Sequence, residues 1–170
     1  MFIILEGVDG TGKSTLCKKL TDLGVYDVIP PRSDVVNNFQ QWCSLIDIGK
    51  TIDVVVDRSF ISDLVYRLSD DKEVGTLNLV SMSLLIASKG IVIIHCNTEK
   101  AFYYAKQRGE DNITDENLHK TISKNYETIM TIFKKFTDAK VLTYDWTKEG
   151  DFDKIVNYIK EVRNNDSRTI

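Results

Sequence analysis

The feature that most constrains this chain lies at its start. Phe2-Ile3-Ile4-Leu5 is a continuous apolar run, and it gives way to Gly7-Val8-Asp9-Gly10-Thr11-Gly12-Lys13-Ser14-Thr15. A short run without alternation reads as a strand covered on both faces. The glycines after it let the backbone curl until successive N–H groups point into one hollow, and a helix beginning at Lys13 adds its positive end. The spacing fits G-x-x-x-x-G-K-[ST]. Gly7, Asp9, Gly10, Thr11, Gly12, Lys13, Ser14 and Thr15 are therefore candidates for binding the phosphates of ATP. Lys13 is placed to reach the β- and γ-phosphates, and Ser14 to bind Mg²⁺.

A strand feeding such a loop needs neighbours on both sides, and the chain supplies them in alternation. Strands are predicted at Phe2–Leu5, Val25–Ile29, Ile52–Val56, Ile91–His95 and Val141–Tyr144. Helices are predicted at Lys13–Leu23, Asp34–Ile48, Ser59–Leu68, Asn78–Ser88, Glu99–Gln107 and Asp115–Phe136. A last helix carries Phe152, Ile155, Val156, Ile159 and Val162 at helical spacing, and a polar tail from Asn164 is expected to fray. Strand then helix, repeated, predicts one α/β domain over residues 1–170. Its sheet is mainly parallel and five-stranded, with helices on both faces. Ligands of such folds sit at the carboxyl ends of the strands, which points to Gly7–Gly12, Pro30–Ser33 and Asp57–Ser59.

Composition removes other classes. A net charge of −3 without a long basic run argues against nucleic acid as the partner. No stretch is long and apolar enough for a bilayer, and no signal peptide is evident. Cys17, Cys43 and Cys96 are far apart and odd in number, so neither a disulfide framework nor a zinc site is indicated. A cytoplasmic protein with small buried thiols is expected. His95 and His119 are expected to be structural.

The third strand runs out through Val54-Val55-Val56-Asp57-Arg58-Ser59. Asp57 is placed either to hold Mg²⁺ or to cap the next helix. Arg58 is placed either to stabilise charge on a transferring phosphoryl group or to sit on the surface. No N-K-x-D guanine signature is present.

These residues resemble the thymidylate kinase family of nucleoside monophosphate kinases, in order along most of the chain. Residues 2–15 are similar to that family's first strand and phosphate loop, where the acidic residue at the position of Asp9 contacts the deoxyribose 3′-hydroxyl. Asp57-Arg58-Ser59-Phe60-Ile61-Ser62-Asp63-Leu64-Val65-Tyr66-Arg67 resembles the family segment D-R-Y-x-x-S-S-x-A-Y-Q. The resemblance implies a P-loop kinase three-layer sandwich, with Arg58 on the acceptor phosphate and Ser62 and Tyr66 near base and sugar. Ser59, Asp63 and Arg67 depart from the pattern, so thymine is the family default and the accepted base stays open. Arg32, in Pro30-Pro31-Arg32, takes the place of an arginine that grips the acceptor phosphate, although the family's Glu-Pro-Gly is missing. Phe39 and Trp42 fall where the family lays an aromatic on the base. Thr98–Asp111 resembles the helix and lid P-E-x-A-L-x-R-x-x-x-R-G-x-x-D. Tyr104 replaces its first arginine, and Lys106 and Arg108 are the lid cations of a segment around 106–115. The resemblance also implies homodimers through helices beside the sheet. Helices 34–48 and 78–88 are candidates, though core burial accounts for their apolar residues equally well.

Two rival readings stay open. Asp57-Arg58-Ser59 with Ser62-Asp63 also resembles the E-R-S and Ser-Asp pattern of deoxynucleoside kinases. Those enzymes place a glutamate base in a Glu-Pro motif, whereas here the loop reads Ile29-Pro30-Pro31-Arg32-Ser33-Asp34. With an arginine and no glutamate, it favours an acceptor that already carries phosphate. A nucleotide-binding switch or ATPase is the rival of another class. The favoured expectation is Mg²⁺- and ATP-dependent transfer to a deoxynucleoside monophosphate. Its catalytic residues are Lys13, Arg32, Arg58, Lys106 and Arg108.

Overall fold

The computed structural model describes residues 1–31, 35–70, 72–87, 90–109 and 115–166. Its strands are β1 (Phe2–Glu6), β2 (Tyr26–Asp27), β3 (Val54–Asp57), β4 (Ile91–Cys96) and β5 (Lys140–Tyr144). The helices are α1 (Lys13–Thr21), α2 (Phe39–Gly49), α3 (Phe60–Ser69), α4 (Thr76–Ile86), α5 (Ala101–Gln107), α6 (Glu116–Phe136) and α7 (Asp151–Asp166). The strands form one sheet in the order β2-β3-β1-β4-β5, and every pairing is parallel.

The apolar strands lie where both faces are covered. Phe2 pairs with Val54 on one side and Ile91 on the other, which makes β1 the central strand. Alternate side chains then feed two cores. Phe2, Ile4, Val54 and Val56 meet Trp42, Phe60, Leu64, Leu85 and Tyr126 on one face, beneath α2, α3, α4 and α6. Ile3, Leu5, Val55 and Ile94 meet Leu16, Leu20, Ile155 and Ile159 on the other, beneath α1 and α7. Each fully buried Leu, Ile or Phe contributes about 2 kcal/mol of transfer free energy. This three-layer frame holds the carboxyl ends of β1, β3 and β4 side by side.

Several boundaries differ from expectation for local reasons. β2 covers two residues rather than five. It is an edge strand, Ile29 is 91% exposed, and Pro30 and Pro31 have no N–H to extend the ladder. α2 starts at Phe39, five residues after the predicted Asp34, since 35–38 form turns. α4 starts two residues early, because Gly75 takes an extended conformation as its N-cap. α3 and α6 begin after side-chain caps. Ile61 N–H donates to Ser59 Oγ at 3.1 Å and Asn117 N–H to Asp115 Oδ1 at 2.8 Å. Residues 164–166, expected to fray, continue α7. α4 is apolar on both sides: Met82, Leu85 and Ile86 are buried, while Leu77, Val80 and Leu84 face outward. Among the described residues no helix is long and apolar enough to cross a membrane.

Candidate active site

Three glycines with positive φ shape the turn from β1 into α1. The approach is closest at Gly10, where a Cβ would stand 2.0 Å from the carbonyl oxygen of Ala101, so no side chain fits. Thr11 Oγ1 donates to the Val8 carbonyl at 2.7 Å and braces the turn from within. Lys13 is folded into the loop, where its Nζ donates to the carbonyls of Gly7 at 2.9 Å and Val8 at 2.8 Å. Burial lowers its pKa, and the nearby Arg58 guanidinium lowers it further. Ser14 Oγ donates to Asp57 Oδ2 at 2.7 Å, while Asp57 Oδ1 is buried with no hydrogen-bond partner among the described residues. Two hard oxygens, one of them orphaned and anionic, beside a phosphate-binding loop suit Mg²⁺, which takes one or two protein ligands and fills its shell with phosphate and water oxygens. A cavity of about 290 Å³ opens here, bordered by the loop, Asp57, Arg58 and Arg108.

The turn from β3 into α3 holds Arg58 in the left-handed region at φ 74°, a conformation that a non-glycine residue adopts at some cost. Its N–H donates to the Leu5 carbonyl at 3.0 Å. The guanidinium pairs with Asp9 Oδ1 and lies over the Tyr66 ring, 5.6 Å from its centre. Burial alone would pull the Arg58 pKa down, but the oxygens of Tyr66, Tyr126, Asp9 and Glu6 push it up, so it stays charged. A second cavity, about 960 Å³, extends from this point. One wall is a stripe of α3: the N-cap Ser59, then Ser62, Asp63 and Tyr66, and the C-cap Asp70. The opposite wall is Leu118, His119 and Ile122 of α6, and Pro30 and Pro31 close the third side. Asp9, Asp57 and Arg58 border both cavities. The arrangement joins a small pocket over the glycine loop to a larger slot through these three residues.

Most of the predicted residues converge here. Gly10, Gly12, Lys13, Ser14 and Arg108 border the smaller cavity, and Ser62, Asp63 and Tyr66 the larger. Arg67 ties back to Asp63, Nε to Oδ2 at 2.8 Å, and is absent from the wall. Lys106 and Thr15 are exposed and border neither cavity. Trp42 is the clear correction to the base-stacking expectation. It lies on the inner face of α2 with Ile46, is 0% exposed, and meets Phe60 edge-on at 5.1 Å, so it is a core residue. Phe39 is half-buried against the same core and also stands outside the cavity wall. Arg32 and the lid residues 110–114 lie outside the described residues.

Two groups escaped sequence reasoning. His119 was expected to be structural, yet its Nε2 lies 3.2 Å from the Asp9 carbonyl and its ring borders the larger cavity. Glu6 ends β1 fully buried. Its carboxylate accepts from Ser59 Oγ at 2.6 Å, Ser62 Oγ at 2.7 Å and Tyr126 Oη at 3.1 Å. Burial raises its pKa, and the hydroxyls of Ser59 and Ser62 offset part of that. The available signal was a carboxylate closing an otherwise apolar strand.

No protein-family model matches the chain. A protein of Acidianus bottle-shaped virus (isolate Italy/Pozzuoli), provisionally named a thymidylate kinase, is 30% identical, over 79% of this chain and 89% of its own length. Among solved structures, the YorR protein of Bacillus subtilis in complex with phosphorylated GDP superposes with a TM-score of 0.69 at 20% identity, over 100% of this chain and 99% of that one. Deoxyadenosine kinase from M. mycoides with products dCMP and a flexible dCDP superposes with a TM-score of 0.61 at 17% identity, over 95% and 100%. At these identities the likeness to the solved structures is one of fold.

Proposed function

This chain belongs to the thymidylate kinase family of nucleotide kinases, and from that premise we propose that it transfers the γ-phosphoryl group of ATP to a deoxynucleoside monophosphate, giving ADP and the diphosphate. dTMP is the family's default acceptor. The observation that carries this reading is the sharing of Asp9, Asp57 and Arg58 by the two cavities, which brings a donor phosphate and an acceptor phosphate to one point.

The donor triphosphate occupies the smaller cavity. Loop N–H groups hold its oxygens, Lys13 exchanges two carbonyls for the terminal phosphates, and Arg108 approaches from the end of α5. Ser14 and Asp57 would hold Mg²⁺, which would supply charge neutralisation on the phosphates. The acceptor nucleoside lies between α3 and α6, with Tyr66 beneath a sugar lacking a 2′-hydroxyl. Its phosphate takes Arg58 from Asp9, and Asp9 turns to the 3′-hydroxyl. Arg32 supplies the second grip. An acceptor phosphate oxygen forms the new bond to the γ-phosphorus while the bond to the β–γ bridging oxygen breaks. Alignment and charge neutralisation supply the rate, with no covalent enzyme intermediate.

The chemistry at the junction favours a phosphate acceptor over a nucleoside. A 5′-hydroxyl needs a carboxylate base, whereas Asp9 is paired with Arg58 and Asp57 is bonded by Ser14. The outward stripe Leu77, Val80 and Leu84 of α4 is the surface for a second copy, if the family's dimers extend to this chain. The experiment is ADP release from ATP with no acceptor, with nucleosides, and with ribo- and deoxymonophosphates. Stimulation by a deoxymonophosphate is expected. Stimulation by nucleosides alone would establish the rival kinase class, and acceptor-independent release would establish an ATPase.

A further inference from the structure

A carboxylate buried away from water is unfavourable by several kcal/mol unless hydrogen bonds replace its hydration. Glu6 is such a group, at 0% exposure, and it borders neither cavity. Its partners are specific. Two are the first serines of the acceptor helix, Ser59 and Ser62, and the third is Tyr126, in the middle of α6. Ser62 Oγ and Tyr126 Oη also lie 2.9 Å from each other, so their two protons are shared over three contacts and the four side chains form one network centred on Glu6.

The network grips the turn that carries Arg58. Leu5 accepts from the Arg58 N–H through its carbonyl, and the next residue, Glu6, accepts from Ser59 through its side chain. Two adjacent residues of β1 thus hold two adjacent residues of the β3–α3 turn. Ser59 uses its one hydroxyl twice, donating to Glu6 and accepting from Ile61 N–H, so the carboxylate also orients the cap of α3. The left-handed backbone of Arg58 needs over-determination of this kind to persist. Glu6 is followed by Gly7, the first residue of the phosphate loop. The carboxylate therefore sits between the donor loop and the acceptor arginine, and through Tyr126 it fastens both to the helix that follows the lid segment.

We propose that Glu6 is a positioning residue for phosphoryl transfer: by holding Ser59, Ser62 and Tyr126 it sets the reach of Arg58 from the phosphate loop. This rests on Arg58 being the acceptor's phosphate clamp. It separates Glu6 from a plain core-stabilising role, because its loss should fall on acceptor use and spare ATP binding.

The test uses Glu6→Ala, Glu6→Gln and Ser59→Ala. Each is assayed at a temperature where its unfolding curve shows it native, with a monophosphate that the wild type phosphorylates. Glu6→Ala is expected to lower kcat/KM for the acceptor about a hundredfold, the scale of a displacement near 1 Å. The ATP dissociation constant should move less than about twofold on the same grounds. Glu6→Gln keeps an acceptor for Ser59 and a polar partner for Tyr126, and should recover to within about fivefold of wild type. Ser59→Ala should fall between the two. If Glu6→Ala does not fold, Glu6→Gln and Ser59→Ala still carry the comparison. Wild-type acceptor kinetics in a folded Glu6→Ala or Ser59→Ala would overturn the proposal. So would equal losses of ATP and acceptor affinity, or a Glu6→Gln no better than the alanine. A wild-type enzyme that no monophosphate stimulates would instead overturn the acceptor reading, and this inference with it.

Discussion

The two cavities that the proposed function takes as donor and acceptor sites are built in opposite ways. The smaller cavity is bordered mainly by one short segment, Asp9 to Ser14, with Asp57, Arg58 and Arg108 added at its rim. Its loop is braced by its own atoms, through Thr11 and Lys13 on the carbonyls of Val8 and Gly7. The larger cavity is assembled from the β2–α2 loop, the β3–α3 turn, α3 and α6, elements as far apart in the chain as Pro30 and Ile122. A locally braced loop can be altered at the acceptor side without harm. An assembled slot depends on every element that holds it apart.

Four measurements would break or sharpen that contrast, from the largest expected effect to the smallest. Arg58→Ala should reduce kcat with the monophosphate about a thousandfold while ATP affinity, read by equilibrium titration, stays near wild type. A parallel loss of ATP affinity would erase the division between the halves. Trp42→Ala should lower unfolding free energy by about 4 kcal/mol in urea titrations and leave the acceptor KM of the folded enzyme unchanged. A raised KM without lost stability would return Trp42 to the base. His95, buried at the end of β4 and stacked on Tyr126, has its pKa lowered to about 4, first by burial and then by Lys134. The unfolded chain takes up this proton near pH 6.5 and the folded chain only near 4. Stability is therefore full above pH 6.5 and lost as the pH falls through that window, by about 3 kcal/mol in all. Urea unfolding from pH 7 to 4 should show this slope, and His95→Gln should flatten it. Last, Arg108→Ala should lower kcat about tenfold, and Lys106→Ala should change it little, since Arg108 alone of the two borders the donor cavity. Equal effects in steady-state assays would show that the lid brings both cations in.

How far the sequence could be read follows the same division. The phosphate loop and the parallel sheet were legible because their signals are local: glycine spacing, a run of apolar residues, a cap. The placement of Asp57 and Arg58 beside the cavities was legible because they lie at the carboxyl end of β3, the edge expected to bind ligand. Trp42 was misread because a helix position next to a site has both an inner and an outer face, and only the packed structure says which one the indole takes. His119 reaches the larger cavity and Tyr126 the Glu6 carboxylate from α6, 110 and 120 residues from their partners Asp9 and Glu6, and no spacing rule spans that separation. β2 was overextended because period and composition do not register that Pro30 and Pro31 leave an edge strand without donors.

The pairing of Arg58 with Asp9 has one more consequence. Before any acceptor arrives, the guanidinium already has an occupant, a carboxylate from its own chain. An incoming anion has to displace that tethered carboxylate, and an uncharged molecule brings nothing to displace it with. Under the proposed function the ion pair would therefore screen guests by charge, and its opening would free Asp9 for the sugar in the same movement.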